Sequence, residues 1–165
     1  GIGAEILLNK VRSSTHLAPH LKPLFWGFFS RGVMSRLSER IENFNKAYLI
    51  FSEAVSAYNK DKSSVLSHLA LVQAYEVCYE LAWKVLKDYL FLNGISVQLP
   101  KEVIKEAFSA NVIKDGQVWI DMLQDRNSTS HEYNMDKVNL IIERIATVYN
   151  SELAKFNDWV SDINA

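Results

Sequence analysis

Residues 65–92 read VLSHLALVQAYEVCYELAWKVLKDYLFL. Apolar side chains fall on most sides of this stretch when it is wound at 3.6 residues per turn, so it is expected to be a helix surrounded by other helices. Ser63 or Ser64 supplies the N-cap, and Asn93-Gly94 supplies the stop. One polar stripe interrupts the apolar surface: Gln73, Glu76, Glu80, Lys84 and Lys87, at spacings of three and four. Such a stripe is either a solvated face, with Glu-to-Lys pairs of ~0.2–0.5 kcal/mol each, or the lining of a site. Trp83, beside it, reads as packing or as a dimer contact.

Outward from this helix the periodicity stays helical. Leu37, Ile41, Phe44, Tyr48, Phe51, Val55 and Tyr58 alternate by four and three, a seam for bundle packing in a helix from about Ser35 to Tyr58. Pro100 suits the first position of a third helix, with Val103, Ile104, Ala107 and Phe108 on one face. After the turn at Asp115-Gly116, a fourth helix over about 117–127 places Val118, Met122 and Trp119 inward. A fifth, capped by Asn134 or Asp136, turns Val138, Ile141, Ile145, Val148, Phe156 and Val160 inward. With no strand alternation and no repeat, the fold class is all-α, an up-and-down bundle of four to five helices.

Residues 1–33 read differently. They hold Pro19 and Pro23 and end in the apolar knot Leu24-Phe25-Trp26-Gly27-Phe28-Phe29. We expect Met34 to be the functional start and 1–33 to be an expression leader or upstream-encoded text. The alternative is a genuine extension that docks its Phe-Trp cluster on the bundle or on a partner. Residues 34–165 form one domain.

Composition narrows the function. Of 165 residues 48% are hydrophobic and 22% charged, and the net charge is −1. That fits a globular chain without a global pull toward nucleic acid or anionic membrane. No apolar run approaches the ~18 residues of a membrane span. The single cysteine, Cys78, lies in an apolar run, which excludes an internal disulfide and fits a reducing, cytoplasmic setting.

The chemistry concentrates in Asp125-Arg126-Asn127-Ser128-Thr129-Ser130-His131-Glu132-Tyr133. Arginine matches phosphate oxygens with a planar fork, and histidine exchanges a proton near neutral pH. Five residues apart on an unbroken helix, Arg126 and His131 would diverge by about 140°. They share a site only if the helix stops between them, and Ser128-Thr129-Ser130 favours a stop. Arg126 then sits at a helix C-terminus, where the macrodipole favours a cation. The bland alternative is a local ion pair beside a surface ring. A metal centre is poorly served: His16 and His20 lie in the doubtful leader with no partner in view, no His-x3-His pair falls on a helix, and there is no Cys-x2-Cys. Asp121 and Asp125 could hold magnesium only in competition with Arg126. No cofactor motif is present.

Arg126-x4-His131-x-Tyr133 resembles the Arg-x4-His-x-Tyr signature of HEPN domains, in particular the HepT-like toxins. The text Gln73-x2-Glu76-x3-Glu80-Leu81-x-Trp83-Lys84-x2-Lys87, followed by Gly116-x2-Trp119-x-Asp121-Met122-Leu123-x2-Arg126-Asn127, resembles the neighbouring branch of nucleotidyltransferase substrate-binding proteins. The resemblance runs from about Met34 to the C-terminus. It implies a homodimer partnered by a minimal nucleotidyltransferase that acts as antitoxin. It also implies Arg126 and His131 as a catalytic pair, Asn127 as a polar neighbour, Glu80 and Lys84 in the same pocket, and Tyr133 as the acceptor of AMP. Two functions follow. One is a metal-independent endoribonuclease, in which the RNA's own 2′-hydroxyl is the nucleophile. The other is a non-catalytic subunit that binds substrate or nucleotide for the nucleotidyltransferase.

Overall fold

The computed structural model describes residues 22–129 and 135–164. The elements are α1 (Lys22–Lys60), α2 (Val65–Leu92), α3 (Pro100–Ser109), α4 (Gly116–Thr129), α5 (Met135–Arg144), a π-helical turn (Ile145–Tyr149) and α6 (Asn150–Asn164). The backbone is right-handed helical on both sides of the π turn, at Arg144 and Asn150. The last three elements are therefore one rod, and the described residues form an all-α bundle of five helical rods.

Local chemistry explains the boundaries. Ser64 caps α2, its Oγ accepting from Ser67 N at 3.3 Å. Asn93 closes α2, and Gly94 takes a φ of 79° that a side chain would resist. Pro100 opens α3, where its missing N–H is not needed. Asp115 caps α4 by accepting from Val118 N at 3.0 Å.

The predicted seam of α1 is buried at Leu37, Ile41, Phe44, Phe51, Val55 and Tyr58, with Tyr48 partly so. It packs along α2, whose Leu71, Tyr75, Cys78, Tyr79, Ala82, Val85, Leu86 and Leu90 have no exposed surface. An aromatic chain ties the other elements to this pair. Phe44 meets Phe156 edge-on at 5.0 Å, Phe156 meets Trp119 at 5.2 Å, and Trp119 meets Tyr79 at 5.8 Å. Full burial of such side chains contributes ~1.5–3 kcal/mol each.

Three expectations need correction. The first helix begins at Lys22 rather than Ser35, and Pro23 falls in its first turn, where proline is tolerated. Phe108 is half exposed, lying against Gly116, so the inner face of α3 is Val103, Ile104 and Ala107. In the last rod Val148 is exposed and Tyr149 is buried. A π turn closes i→i+5 and delays the helical register, which carries the inner face from Ile145 to Tyr149 and on to Leu153.

Candidate functional site

Arg126 stands on the last turn of α4, and the fold controls where that turn lies. Two buried tyrosines of α2 donate to α4 carbonyls: Tyr79 Oη to Trp119 O at 2.9 Å and Tyr75 Oη to Met122 O at 2.7 Å. Met122 is one helical turn before Arg126. Burial pushes both phenols well above their ordinary range, so they remain donors. α4 is thereby pinned against the buried face of α2 that adjoins the polar stripe.

The stripe then meets the motif. The Arg126 guanidinium lies 3.6 Å from Glu80 Oε2. Trp83 Nε1 donates to the same oxygen at 2.8 Å, and Lys84 Nζ sits 2.9 Å from Oε1. Partial burial pulls the Glu80 carboxyl upward, but the bonds from Trp83 and Lys84 and the charges of Lys84 and Arg126 outweigh it and hold it below the usual carboxylate value. Glu80 is thus a charged hub joining three side chains, and Trp83 is a packed donor to it. One turn back, Glu76 accepts from the Thr129 hydroxyl, which also bonds Arg126 O at 3.0 Å. Asn127 Oδ1 accepts from Arg126 at 3.3 Å. The buried Nε of Arg126 has no acceptor among the described residues.

The structure therefore brings together Arg126, Asn127, Glu80 and Lys84. α4 runs on to Thr129, two residues past its expected end. His131 and Tyr133 lie outside the described residues, as do His16 and His20.

Sequence reasoning misassigned Asp125. It does not pair with Arg126, which is turned about 100° away around the helix. It receives a two-pronged contact from Arg144, at 2.8 Å from both Nε and Nη2, and a hydrogen bond from Tyr149 Oη at 2.5 Å. Burial and the Asp125 carboxylate push the Tyr149 phenol far up. The α4 end is thereby fastened to the last rod as well as to α2. No spacing rule links residue 125 to 144 and 149; the π turn aims Tyr149. An open cavity of about 280 Å3 lies beside this clamp, lined by Asp125, Ser128, Lys137, Leu140, Ile141 and Arg144. Asp121 is engaged by Gln117 at 2.8 Å. Among the described residues no three His, Cys, Asp or Glu side chains gather as metal ligands. His68 donates from Nε2 to Lys62 O at 2.7 Å. Burial pushes the Cys78 thiol up to about 12. No helix among the described residues is long and apolar enough to cross a membrane.

Residues 39–162 match the family described as nucleotidyltransferase substrate binding protein like. A protein of Haemophilus influenzae bearing the name "Probable ribonuclease HepT" is 29% identical over 79 residues, 45% of this chain and 54% of that protein. The chain thus spans about half the length of this curated relative.

Proposed function

Because the chain belongs to the nucleotidyltransferase substrate binding protein like family, we propose that it is the helical partner of a minimal nucleotidyltransferase in a toxin–antitoxin-type pair, and that it cleaves RNA without a metal ion through Arg126 and His131. The observation that carries this reading is the placement of Arg126. Two stretches some forty residues apart in sequence, the α2 stripe and the α4 end, meet there: Glu80 pairs with the guanidinium and Glu76 accepts from the Thr129 hydroxyl, with Arg126 five residues before the histidine. The name of the Haemophilus influenzae relative points the same way.

His131 takes the proton of the RNA 2′-hydroxyl, whose oxygen attacks the adjacent phosphorus. The bond to the 5′-oxygen breaks, and that oxygen leaves with a proton. The product is a 2′,3′-cyclic phosphate. Arg126 meets the extra negative charge on the phosphoryl oxygens in the transition state, where a pre-placed donor is worth most. General base and general acid are both required, and a symmetric homodimer supplies two copies of Arg126 and His131 to one cleft. An exposed apolar row on α2, Leu66, Leu69 and Val77, lies within about 60° of Glu80 around the helix, which supports a second copy docking beside the site. Tyr133 is the acceptor on which the nucleotidyltransferase places AMP, blocking the cleft.

The ion pair of Arg126 with Glu80 favours a second reading, because it already partly neutralises the guanidinium. In it the chain binds substrate or nucleotide for the nucleotidyltransferase and cuts nothing. Purified wild type and His131→Ala, incubated with total RNA in EDTA without the partner, separate the two. Cleavage by wild type leaving cyclic ends, with a loss of at least about a hundredfold in the variant, is expected. No cleavage by folded, unmodified dimer would overturn the ribonuclease reading in favour of the binding subunit.

A further inference from the structure

A second group of cations lies along α2, beyond the hub at Glu80, and has no part in the cleavage chemistry. Lys87 and Asp88, with Arg36 and Arg40 of α1, line a groove of about 250 Å3 together with Phe91, Val97 and Gln98. Asp88 is almost wholly buried. Arg40 Nε stands 2.6 Å from its Oδ2 and Arg36 Nε 3.2 Å from the same oxygen. A buried carboxylate needs a partner, but a single guanidinium suffices, and here two converge on one oxygen. Lys87 has no carboxylate partner among the described residues. The groove thus carries three cations against one carboxylate. Both guanidiniums approach Asp88 through Nε, and no other acceptor residue meets either of them among the described residues. Arg36 is half exposed, and its terminal nitrogens are free to take another acceptor.

The groove is also aligned with the site. At about 100° per residue, Lys84 and Lys87 fall within about 40° of Glu80 on the surface of α2. The run Arg126, Glu80, Lys84, Lys87 and then Arg36 and Arg40 follows one face. From Glu80 to Asp88 is ~12 Å along the axis. That exceeds the ~3.4 Å rise per phosphate of a stacked strand, so a strand with one phosphate at Arg126 reaches the groove a few nucleotides away. Counting Glu76, Glu80 and Asp88, the run still has five cations against three carboxylates, in a chain whose net charge is −1.

We propose that the groove formed by Arg36, Arg40 and Lys87 around Asp88 is a phosphate subsite that holds the backbone of single-stranded RNA while Arg126 engages the phosphate to be cut. This rests on the RNA-cleaving reading. Asp88 pre-orients the arginines, and Lys87 adds a mobile point charge. The contacts are to phosphate, so they add affinity without sequence preference.

The test is fluorescence anisotropy with a short single-stranded RNA, 2′-O-methylated so that it cannot be cut. Full-chain wild type is compared with Lys87→Ala and with Arg36→Ala/Lys87→Ala over a salt series. Arg40 is kept so that Asp88 retains a partner, and Lys87→Ala removes no ion pair. Each lost phosphate contact should reduce the salt slope by ~0.7 and weaken binding roughly fivefold at 0.1 M salt, so about 25-fold for the double variant. Wild-type cleavage of unmodified RNA is measured alongside. If wild type cleaves and the variants bind with its affinity and slope, the subsite is refuted and the ribonuclease reading stands. If the variants bind RNA like wild type but no longer co-purify with the nucleotidyltransferase, the groove serves the protein partner and the proposal falls. If wild type neither binds nor cuts RNA, both fall together.

Discussion

Replacing Tyr149 with phenylalanine tests the feature that most shapes the α4 end. The change removes one oxygen and leaves the ring, which is fully buried and stacked on Tyr75 at 5.6 Å. No cavity forms, so the effect isolates the 2.5 Å hydrogen bond to Asp125 Oδ2. A bond to a charged acceptor contributes ~1.5–3 kcal/mol. Asp125 keeps both contacts from Arg144, so its charge is not stranded, and the lower half of that range applies, about 1.5–2 kcal/mol. At roughly 2–4 °C per kcal/mol for a chain of this size, Tm should fall by about 3–8 °C. Thermal melts by circular dichroism, with urea titrations to confirm an unchanged m, provide the measurement. Pairing the change with Asp125→Asn in a double-mutant cycle should show coupling of at least about 0.5 kcal/mol. A loss within about 0.5 kcal/mol of zero, the range of an uninvolved surface position, would mean that Tyr149 does not meet Asp125, and the register given by the π turn would be wrong.

Two further outcomes follow from buried groups. Cys78 has no exposed surface, and burial holds its thiol at about 12, so native protein should react with a thiol-specific reagent only through opening. Labelling as fast as a free thiol in the absence of denaturant would contradict the packing of α2. Tyr58 donates to Glu143 at 2.6 Å, and burial with that bond raises its phenol from 10.0 to about 12. A raised folded value means that this stabilisation is complete below the unfolded value and is lost as pH rises through the folded one. The stability difference between wild type and Tyr58→Phe should therefore hold up to pH about 10 and vanish by about 12. A difference that stays constant across that window in urea midpoints would exclude the bond.

Much of the bundle was legible in sequence because each helix announces itself locally. The bounds of α2 follow from Ser64 and Asn93-Gly94 with its apolar interior, and the α1 seam follows from strict three–four alternation. Where prediction erred, the determinant was not local. Phe108 shares the spacing of its buried neighbours, yet it ends beside Gly116 because α4 starts there. Val148 fits the alternation after Ile145, yet it faces outward because it lies within the π turn. Of the candidate site, the residue types and the need for a helix end near Arg126 could be read from the chain. The resemblance already put Glu80 in the Arg126 pocket, but the partners of Asp125 could not be read: Asp125 follows its own helix face toward Arg144 and Tyr149.

Sequence by itself determined the all-α class, the helical segments and the residue types gathered in the 125–133 stretch, because periodicity, caps and residue types act within a turn or two of chain. Tertiary structure alone decided that Glu80 is the atom-by-atom junction of Trp83, Lys84 and Arg126, and that Arg36 and Arg40 close on Asp88 at the far end of the same face. Those pairings depend on how α1, α2, α4 and the last rod are rotated against one another. That rotation is settled by packing the aromatic core of Phe44, Tyr75, Tyr79, Trp119 and Phe156.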